Sequence, residues 1–263
     1  MSKRKSEHYS KSKGKRFKSG SNLLGPHTAG IYATCPRGKE KQCRRELISV
    51  LSEKISKYFD ISKEGDEDSE NKRPDSLSIE EKIQQELSEM KEANDNPQAS
   101  YLQPLDIDVE CVVFIETKMP IDPVLLVHEY AKECFTSGVK TTRSTQKLTP
   151  ISDSCSATGD VEEHLKELSR HVLKDHFHKD GQDPVKFAIQ VSRKHFDTLT
   201  SEAIIKSVAE TVGREHGHTV DLKNYEKLII VECYKNNIGM SVVEDYLKFS
   251  KFNLQQIYDK TVN

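Results

Sequence analysis

Lys140-Thr-Thr-Arg143-Ser-Thr-Gln-Lys147-Leu-Thr-Pro150 holds three cations and no acid. Ammonium and guanidinium groups interleaved with hydroxyls are suited to gripping a phosphate backbone. Read as an extended strand over 140–148, the segment sets Thr141, Arg143, Thr145, Lys147 and Thr149 on one face, because successive side chains alternate. Two other clusters share this character. Arg193-Lys194-His195 follows a strand expected over 185–192, and Arg37, Lys39 and Lys41 surround Gly38 at a strand–helix turn. Free N–H groups at a helix start, with cations beside them, make a fair anion site. Any one such cluster is more often a solvated surface. Several at strand ends point to a nucleic-acid surface made of Arg37, Lys39, Lys41, Lys140, Arg143, Lys147, Arg193 and Lys194. No bare aromatic sheet is visible, so reading by shape and backbone is expected over reading of splayed bases.

Other chemistries find little support. There is no Walker-type loop, and no Gly-x-Gly-x-x-Gly follows a strand. Nor is there a glycine-rich strand end for acetyl-coenzyme A or S-adenosylmethionine, so no cofactor is expected. His176-Phe-His178, His216-Gly-His218, and His164 with His171 invite a metal reading, but none completes a zinc ligand set. They read as helix-end and surface histidines, and no metal is expected. Cys155 in Ser152-Asp-Ser-Cys-Ser-Ala157 is the least core-like thiol, yet no base stands near it in sequence. No catalytic residue is expected.

These residues sit in an unevenly charged chain. The net charge of −2 hides a basic start, with eight Lys or Arg against one acid in residues 1–20, and an acidic stretch, with thirteen acids against five bases in residues 60–95. Residues 1–28 read as a disordered tail. Its clusters Lys3-Arg4-Lys5 and Lys13-Gly-Lys-Arg16 suit a nuclear address, a loose nucleic-acid tether or a solubilising tail. The localisation expected is the nucleus, with the nucleolus as the finer option. Six scattered cysteines without a Cys-x-x-Cys pair read as reduced intracellular thiols. No apolar run has the length of a membrane span.

The pattern of apolar residues gives an α/β (α+β) chain. A strand at 30–35 leads into a helix over 39–59 with Leu47, Leu51 and Ile55 on its stripe. An insert at 60–104 contains a capping box at Ser78 and a stripe of Ile79, Ile83, Leu87 and Met90. A strand over 107–115, a helix from Asp122-Pro123 to Gly138, and the polar strand follow. The second half reads as a helix opened by Asp160, strand 185–192, a helix from Ser201, and strands at 219–222, 228–234 and 238–243. A terminal amphipathic helix over 244–260 carries Tyr246, Phe249, Leu254 and Ile257, ready to dock on the body or on a partner.

Several of these stretches resemble a known family. Thr142-Arg143 through Leu148-Thr-Pro150, then Cys155 and Ala157, resembles the strand and loop of a THUMP domain. Phe187-Ala-Ile-Gln-Val-Ser-Arg193 is similar to its central strand. His218-Thr-Val-Asp-Leu-Lys-Asn224 and Leu228-Ile-Ile-Val-Glu232 are similar to its terminal element, with Tyr225 where proline is usual. Tyr32-Ala-Thr-Cys-Pro-Arg-Gly-Lys-Glu-Lys41 narrows the resemblance to eukaryotic THUMP proteins that act as adaptors for tRNA cytidine acetylation. The resemblance implies a ferredoxin-like domain at 29–139, interrupted by the insert, packed against a THUMP domain at 140–243, with residues 244–263 as a terminal helix. It implies a non-catalytic adaptor that presents leucine and serine tRNAs to an RNA cytidine acetyltransferase, which forms 4-acetylcytidine in the D-arm. The chain stops soon after the THUMP pattern, so no catalytic domain is expected; the alternative is a THUMP enzyme, such as a methyltransferase, with an unrecognised active site. Arg143, Lys147 and Arg193 match motif positions expected near RNA, whereas Lys140 and Lys194 join them on charge and position. His218, Asp221 and Asn224 match the motif in either a binding or a structural role.

Overall fold

A computed structural model describes residues 24–59 and 97–262. The first half runs β1 (Gly30–Thr34), α1 (Glu40–Tyr58), β2 (Leu102–Leu105), β3 (Val112–Thr117), α2 (Pro123–Ser137) and β4 (Lys147–Ile151). These strands form an antiparallel sheet in the order β2-β3-β1-β4. That β–α–β–β–α–β path is the expected ferredoxin-like arrangement. The second half runs β5 (Asp153–Ser156), α3 (Val161–Phe177), β6 (Lys186–Lys194), α4 (Ser201–Val212), β7 (Thr219–Val220), β8 (Lys227–Tyr234), β9 (Asn237–Glu244) and α5 (Leu254–Val262). Its five strands form a mixed sheet in the order β5-β9-β8-β6-β7.

Helices α2, α3 and α4 begin where their capping chemistry directs. The Asp122 carboxylate accepts from Val124 N, Pro123 opens α2, and Gly138 closes it at φ 63°, a conformation glycine adopts without strain. Asp160 caps α3 through Glu163 N, and Thr200 caps α4 through Ala203 N. One core lies between α3, α4 and the second sheet, holding Leu165, Phe177, Ile204, Ile229 and Val231. The opposite face of that sheet gives Ala188, Leu228, Ile230 and Val243 to the core of the first half, beside Leu148, Leu126 and Ile115. The two halves therefore share buried surface. Gly239 of β9 marks how closely they approach: a Cβ there would lie 2.8 Å from Ile151 Cγ2.

Four expectations are corrected. Residues 107–115 are not one strand; the chain turns through Asp108 and Cys111, both at positive φ, and only then enters β3. Residues 140–146 form a loop, and β4 starts at Lys147. The loop is held by Glu46, whose carboxylate accepts from Arg143 N and from Ser144 N at 2.8 Å. Thr145 and Thr149 are buried, so the expected exposed face of alternating cations and hydroxyls does not form. The terminal helix starts at Leu254, after a left-handed turn through Ser250, Lys251 and Phe252. Tyr246, Phe249, Leu254 and Ile257 are buried in the core of the first half, so this segment docks on the body. β4 pairs with β1, so the first sheet draws a strand from beyond residue 139. The basic clusters of the tail and the capping box and stripe of the insert lie outside the described residues. No described helix is long and apolar enough to cross a membrane.

A partly buried ion-pair knot ties α1 to α2. Lys54, almost inaccessible, donates to Glu133 at 3.0 Å, and Lys57 and the Tyr58 hydroxyl reach the same carboxylate. Burial pushes the Glu133 carboxyl up, but the hydroxyl and the two ammonium groups outweigh it and hold its pKa at about 2. A depressed carboxylate stabilises the fold fully above its unfolded value of 4.5, and loses that contribution as pH falls toward 2. Glu133→Gln should therefore cost on the order of 2 kcal/mol at pH 7. Its melting temperature should also fall less steeply than that of the wild type between pH 4.5 and 2. Thermal melts across this range check it; parallel acid limbs would show that the knot contributes nothing.

Candidate nucleic-acid interface

The strand parity of β6 separates two faces. Phe187, Ile189 and Val191 pack against the helical layer, and Arg193 shares their parity. Ala188, Gln190, Ser192 and Lys194 point the other way, toward the first half. On this face Ser192 is paired in register with Glu232, and Lys194 with Tyr234. Lys147, the first residue of β4, approaches from the other sheet. Its Nζ lies 5.7 Å from the centre of the Tyr246 ring, and Gln190 Nε2 donates to the Tyr246 hydroxyl at 3.3 Å. Lys194 Nζ lies 5.6 Å from the centre of the Tyr234 ring, which stacks on Tyr32. The result is a polar seam between the sheets, bracketed by two partly exposed lysines from different halves.

Glu232 lies between these lysines, 4% exposed. Burial raises its carboxyl above the usual range, and Ser192, Lys147 and Lys194 offset only part of that rise. One of its oxygens, Oε2, has no hydrogen-bond partner among the described residues, and neither has the Tyr32 hydroxyl. Sequence reading missed Gln190, Ser192, Glu232, Tyr234 and Tyr246. An acid after the apolar run Leu228–Val231, and the two-residue spacing of Gln190, Ser192 and Lys194, were the available signals.

The structure brings together only part of the expected cationic set. Lys147 and Lys194 converge on the seam. Arg193 is exposed on the opposite face, where its guanidinium donates to Leu199 O at 2.9 Å. Arg143 lies exposed on the loop before β4, and its guanidinium has no ion-pair partner among the described residues. Lys140 donates to Gln255. Lys39 and Lys41 are exposed at the start of α1, and Arg37 is paired with Glu110 at 3.1 Å. The anion site expected around Gly38 is already occupied. The Glu40 carboxylate accepts from Cys111 N at 3.0 Å and from Gly38 N at 3.3 Å, so an intramolecular anion takes these donors. Those backbone bonds, Cys111 first, hold the Glu40 carboxyl below its usual range.

The remaining motif residues are committed to the fold. His218 Nε2 donates to Phe177 O at 2.8 Å while its Nδ1 accepts from Val185 N at 3.1 Å, bridging α3 to β6. Asp221 accepts from the backbone N of Lys223 and Asn224, both at 2.9 Å, in a side-chain turn. These two bonds, that of Asn224 first, lower its pKa. Asn224 supplies only its backbone N to that turn and is exposed. Cys155 is buried, and burial pushes its thiol up to about 12, far from a thiolate nucleophile at neutral pH. His178 bonds Val212 O, His164 bonds Ser156 O, and His171 pairs with Asp153 at 2.8 Å. Among the described residues no cluster of His, Cys, Asp or Glu is arranged to hold a metal ion.

Comparison with known proteins adds a second line of observation. A family model described as the THUMP domain matches residues 160–243, which span α3 to β9. The chain is 42% identical over 262 residues to tRNA acetyltransferase TAN1 of Saccharomyces cerevisiae, covering 93% of this chain and 90% of that protein. It is 34% identical over 236 residues to an uncharacterized protein of Schizosaccharomyces pombe, covering 89% and 77%. With THUMP domain-containing protein 1 of Bos taurus it shares 28% identity over 241 residues, covering 90% of this chain and 65% of that protein.

The geometry separates neighbouring cations by role. Lys147→Ala and Lys194→Ala should each weaken binding to a heparin column and reduce the log–log salt slope by about one. Arg193→Ala should leave that slope unchanged and instead lower stability by about 1 kcal/mol, through loss of the bond to Leu199 O. Salt-gradient elution beside thermal melts reads both, and an Arg193→Ala protein that elutes as early as the lysine variants would refute the division.

Proposed function

The chain belongs to the THUMP-domain family that includes yeast tRNA acetyltransferase TAN1, and from that premise we propose that it is a non-catalytic adaptor that binds tRNA and presents it to a separate RNA cytidine acetyltransferase. The observation that carries this reading is the seam. Lys147 and Lys194 come from different sheets, and the shared core holds the sheets in one mutual arrangement. Cations at a set separation suit a folded RNA backbone of defined shape better than a flexible polyanion. Arg143, Lys39 and Lys41 extend the basic character along the first half. Support for a non-catalytic role comes from the side chains that chemistry would need. The Cys155 thiol is buried and fully protonated at neutral pH, and His164, His171, His178 and His218 are engaged in hydrogen bonds within the fold.

In the finer form of the proposal, the cargo is leucine and serine tRNA and the product is 4-acetylcytidine in the D-arm. The basic clusters at Lys3-Arg4-Lys5 and Lys13-Gly-Lys-Arg16 accord with action in the nucleus. A second reading has one specific support: the name of the yeast relative assigns acetyl transfer to that protein itself.

Reconstitution tests the two. Purified chain, a purified RNA cytidine acetyltransferase and acetyl-coenzyme A are incubated with total tRNA, together and with each protein omitted. Nucleosides are then read by mass spectrometry. The adaptor reading expects 4-acetylcytidine in leucine and serine tRNAs only when both proteins are present. Acetylated product from the chain alone, or methylated product on adding S-adenosylmethionine, would replace the adaptor by an enzyme.

A further inference from the structure

Within the polar seam, the buried Glu232 is the feature that tRNA binding by cations leaves unexplained. A basic surface for phosphates needs no carboxylate, and one placed between its lysines weakens it. Nevertheless Glu232 sits there 4% exposed, with Oε2 lacking a partner. A buried acceptor without a donor is costly, and such groups recur where a ligand completes the bond. The Tyr32 hydroxyl, in the ring stack with Tyr234 beside Lys194, is a second unpartnered polar atom at the seam. Any ligand here must satisfy two opposite demands. It must bring negative charge for Lys147 and Lys194, and a neutral hydrogen-bond donor for Glu232. A further cation is disfavoured by the lysines, and a bare phosphate by the carboxylate. A nucleotide carries both parts: the phosphate is the anion, and a ribose 2′-hydroxyl or an exocyclic base amine is the donor.

We propose that the seam between the two sheets is a subsite for one nucleotide of the bound RNA, with Lys147 and Lys194 on its phosphate and Glu232 accepting from its hydroxyl or amine donor. The proposal rests on the tRNA-binding reading and adds to it a residue that reads the nucleotide rather than its charge. The lysine ammonium groups lie over the Tyr246 and Tyr234 rings in the free protein, so they must move from those rings for the nucleotide to reach the carboxylate. A carboxyl group offers two oxygens that can accept, and an amide offers one. Glu232 therefore favours a polymer bearing the donor over one lacking it, and the 2′-hydroxyl is the group that separates RNA from DNA.

The test compares binding of a tRNA transcript with that of an all-DNA strand of the same sequence. Glu232→Gln keeps the side-chain shape and should reduce the RNA-over-DNA preference about fivefold; Glu232→Leu, which has no acceptor, should reduce it about tenfold or more. Lys147→Ala and Lys194→Ala should weaken both polymers alike. A purely electrostatic or structural role for Glu232 would move both affinities together and leave their ratio unchanged. That result in the Gln variant, with an unaltered melting temperature, rules out the 2′-hydroxyl as the donor, and it overturns the subsite when neither transcript series below shows a position-specific loss. Two transcript series distinguish the donors. One carries single 2′-deoxy substitutions, and the other has inosine in place of guanosine; a loss confined to one position that vanishes in Glu232→Gln supports the proposal in either series. A wild-type protein that binds no tRNA overturns the adaptor reading along with the subsite, whereas tight tRNA binding with an unchanged ratio and no position-specific loss in either series overturns the subsite alone.

Discussion

The burial of β8 on both of its faces is the constraint from which the rest of the architecture follows. Ile229, Val231 and Cys233 face the layer of α3 and α4, while Leu228 and Ile230 face the core of the first half. A strand covered on both sides reads as a continuous apolar run, as this one does from Leu228 to Val231. The second sheet thus serves as a shared wall. The C-terminal segment reinforces it: Leu254 N donates to Gln146 O, and Asn253 bridges to Lys147 at the start of β4. The C-terminal segment therefore docks at the start of β4, beside Lys147.

Where the apolar run ends, the polar chemistry begins, although the strand stays buried. Beyond Val231 the inward face of β8 passes to Glu232 and Tyr234, and the matching face of β6 passes from Ala188 to Gln190, Ser192 and Lys194. The same geometric rule that directs Ile230 into the core directs Glu232 into the seam. The site is the polar continuation of a core, which gives its residues a rigid setting. Binding groups held on strands lose little conformational freedom when a ligand arrives, in contrast with the loop cations Arg143 and Lys140.

Intramolecular acids decide which cations remain available to a ligand. The segment between β2 and β3 supplies Asp106 to Arg44, Asp108 to Lys235 and Glu110 to Arg37. Glu40 takes the backbone donors near Gly38, and Glu46 takes those of the loop before β4. Surface pairs of this kind contribute little to stability. Their consequence here is positional, since they neutralise the first strand–helix turn and leave Lys147 and Lys194 as the cations that flank a polar seam.

Much of the fold was legible in the sequence because its signals are local. Asp122-Pro123 and Gly138 bound a helix by capping chemistry, Asp160 and the Leu165–Phe177 stripe define another, and Phe187, Ile189 and Val191 declare the inward face of a strand. The resemblance in 218–232 likewise located the THUMP elements. What depended on partners distant in the chain was not legible. The threonine-rich stretch 140–146 has the composition of a strand, but Glu46, nearly a hundred residues earlier, captures its backbone N–H groups and holds it as a loop. Arg193 and Lys194 are adjacent in sequence and equal in charge, and only the sheet register sends one to Leu199 O and the other to the seam. By itself the sequence determined the element types, the capping and the supply of cations, since each depends on a few neighbouring residues. Tertiary structure alone decided which cations meet, which are neutralised, and that Glu232 lies buried between two of them, because these depend on strands brought together by a core they share.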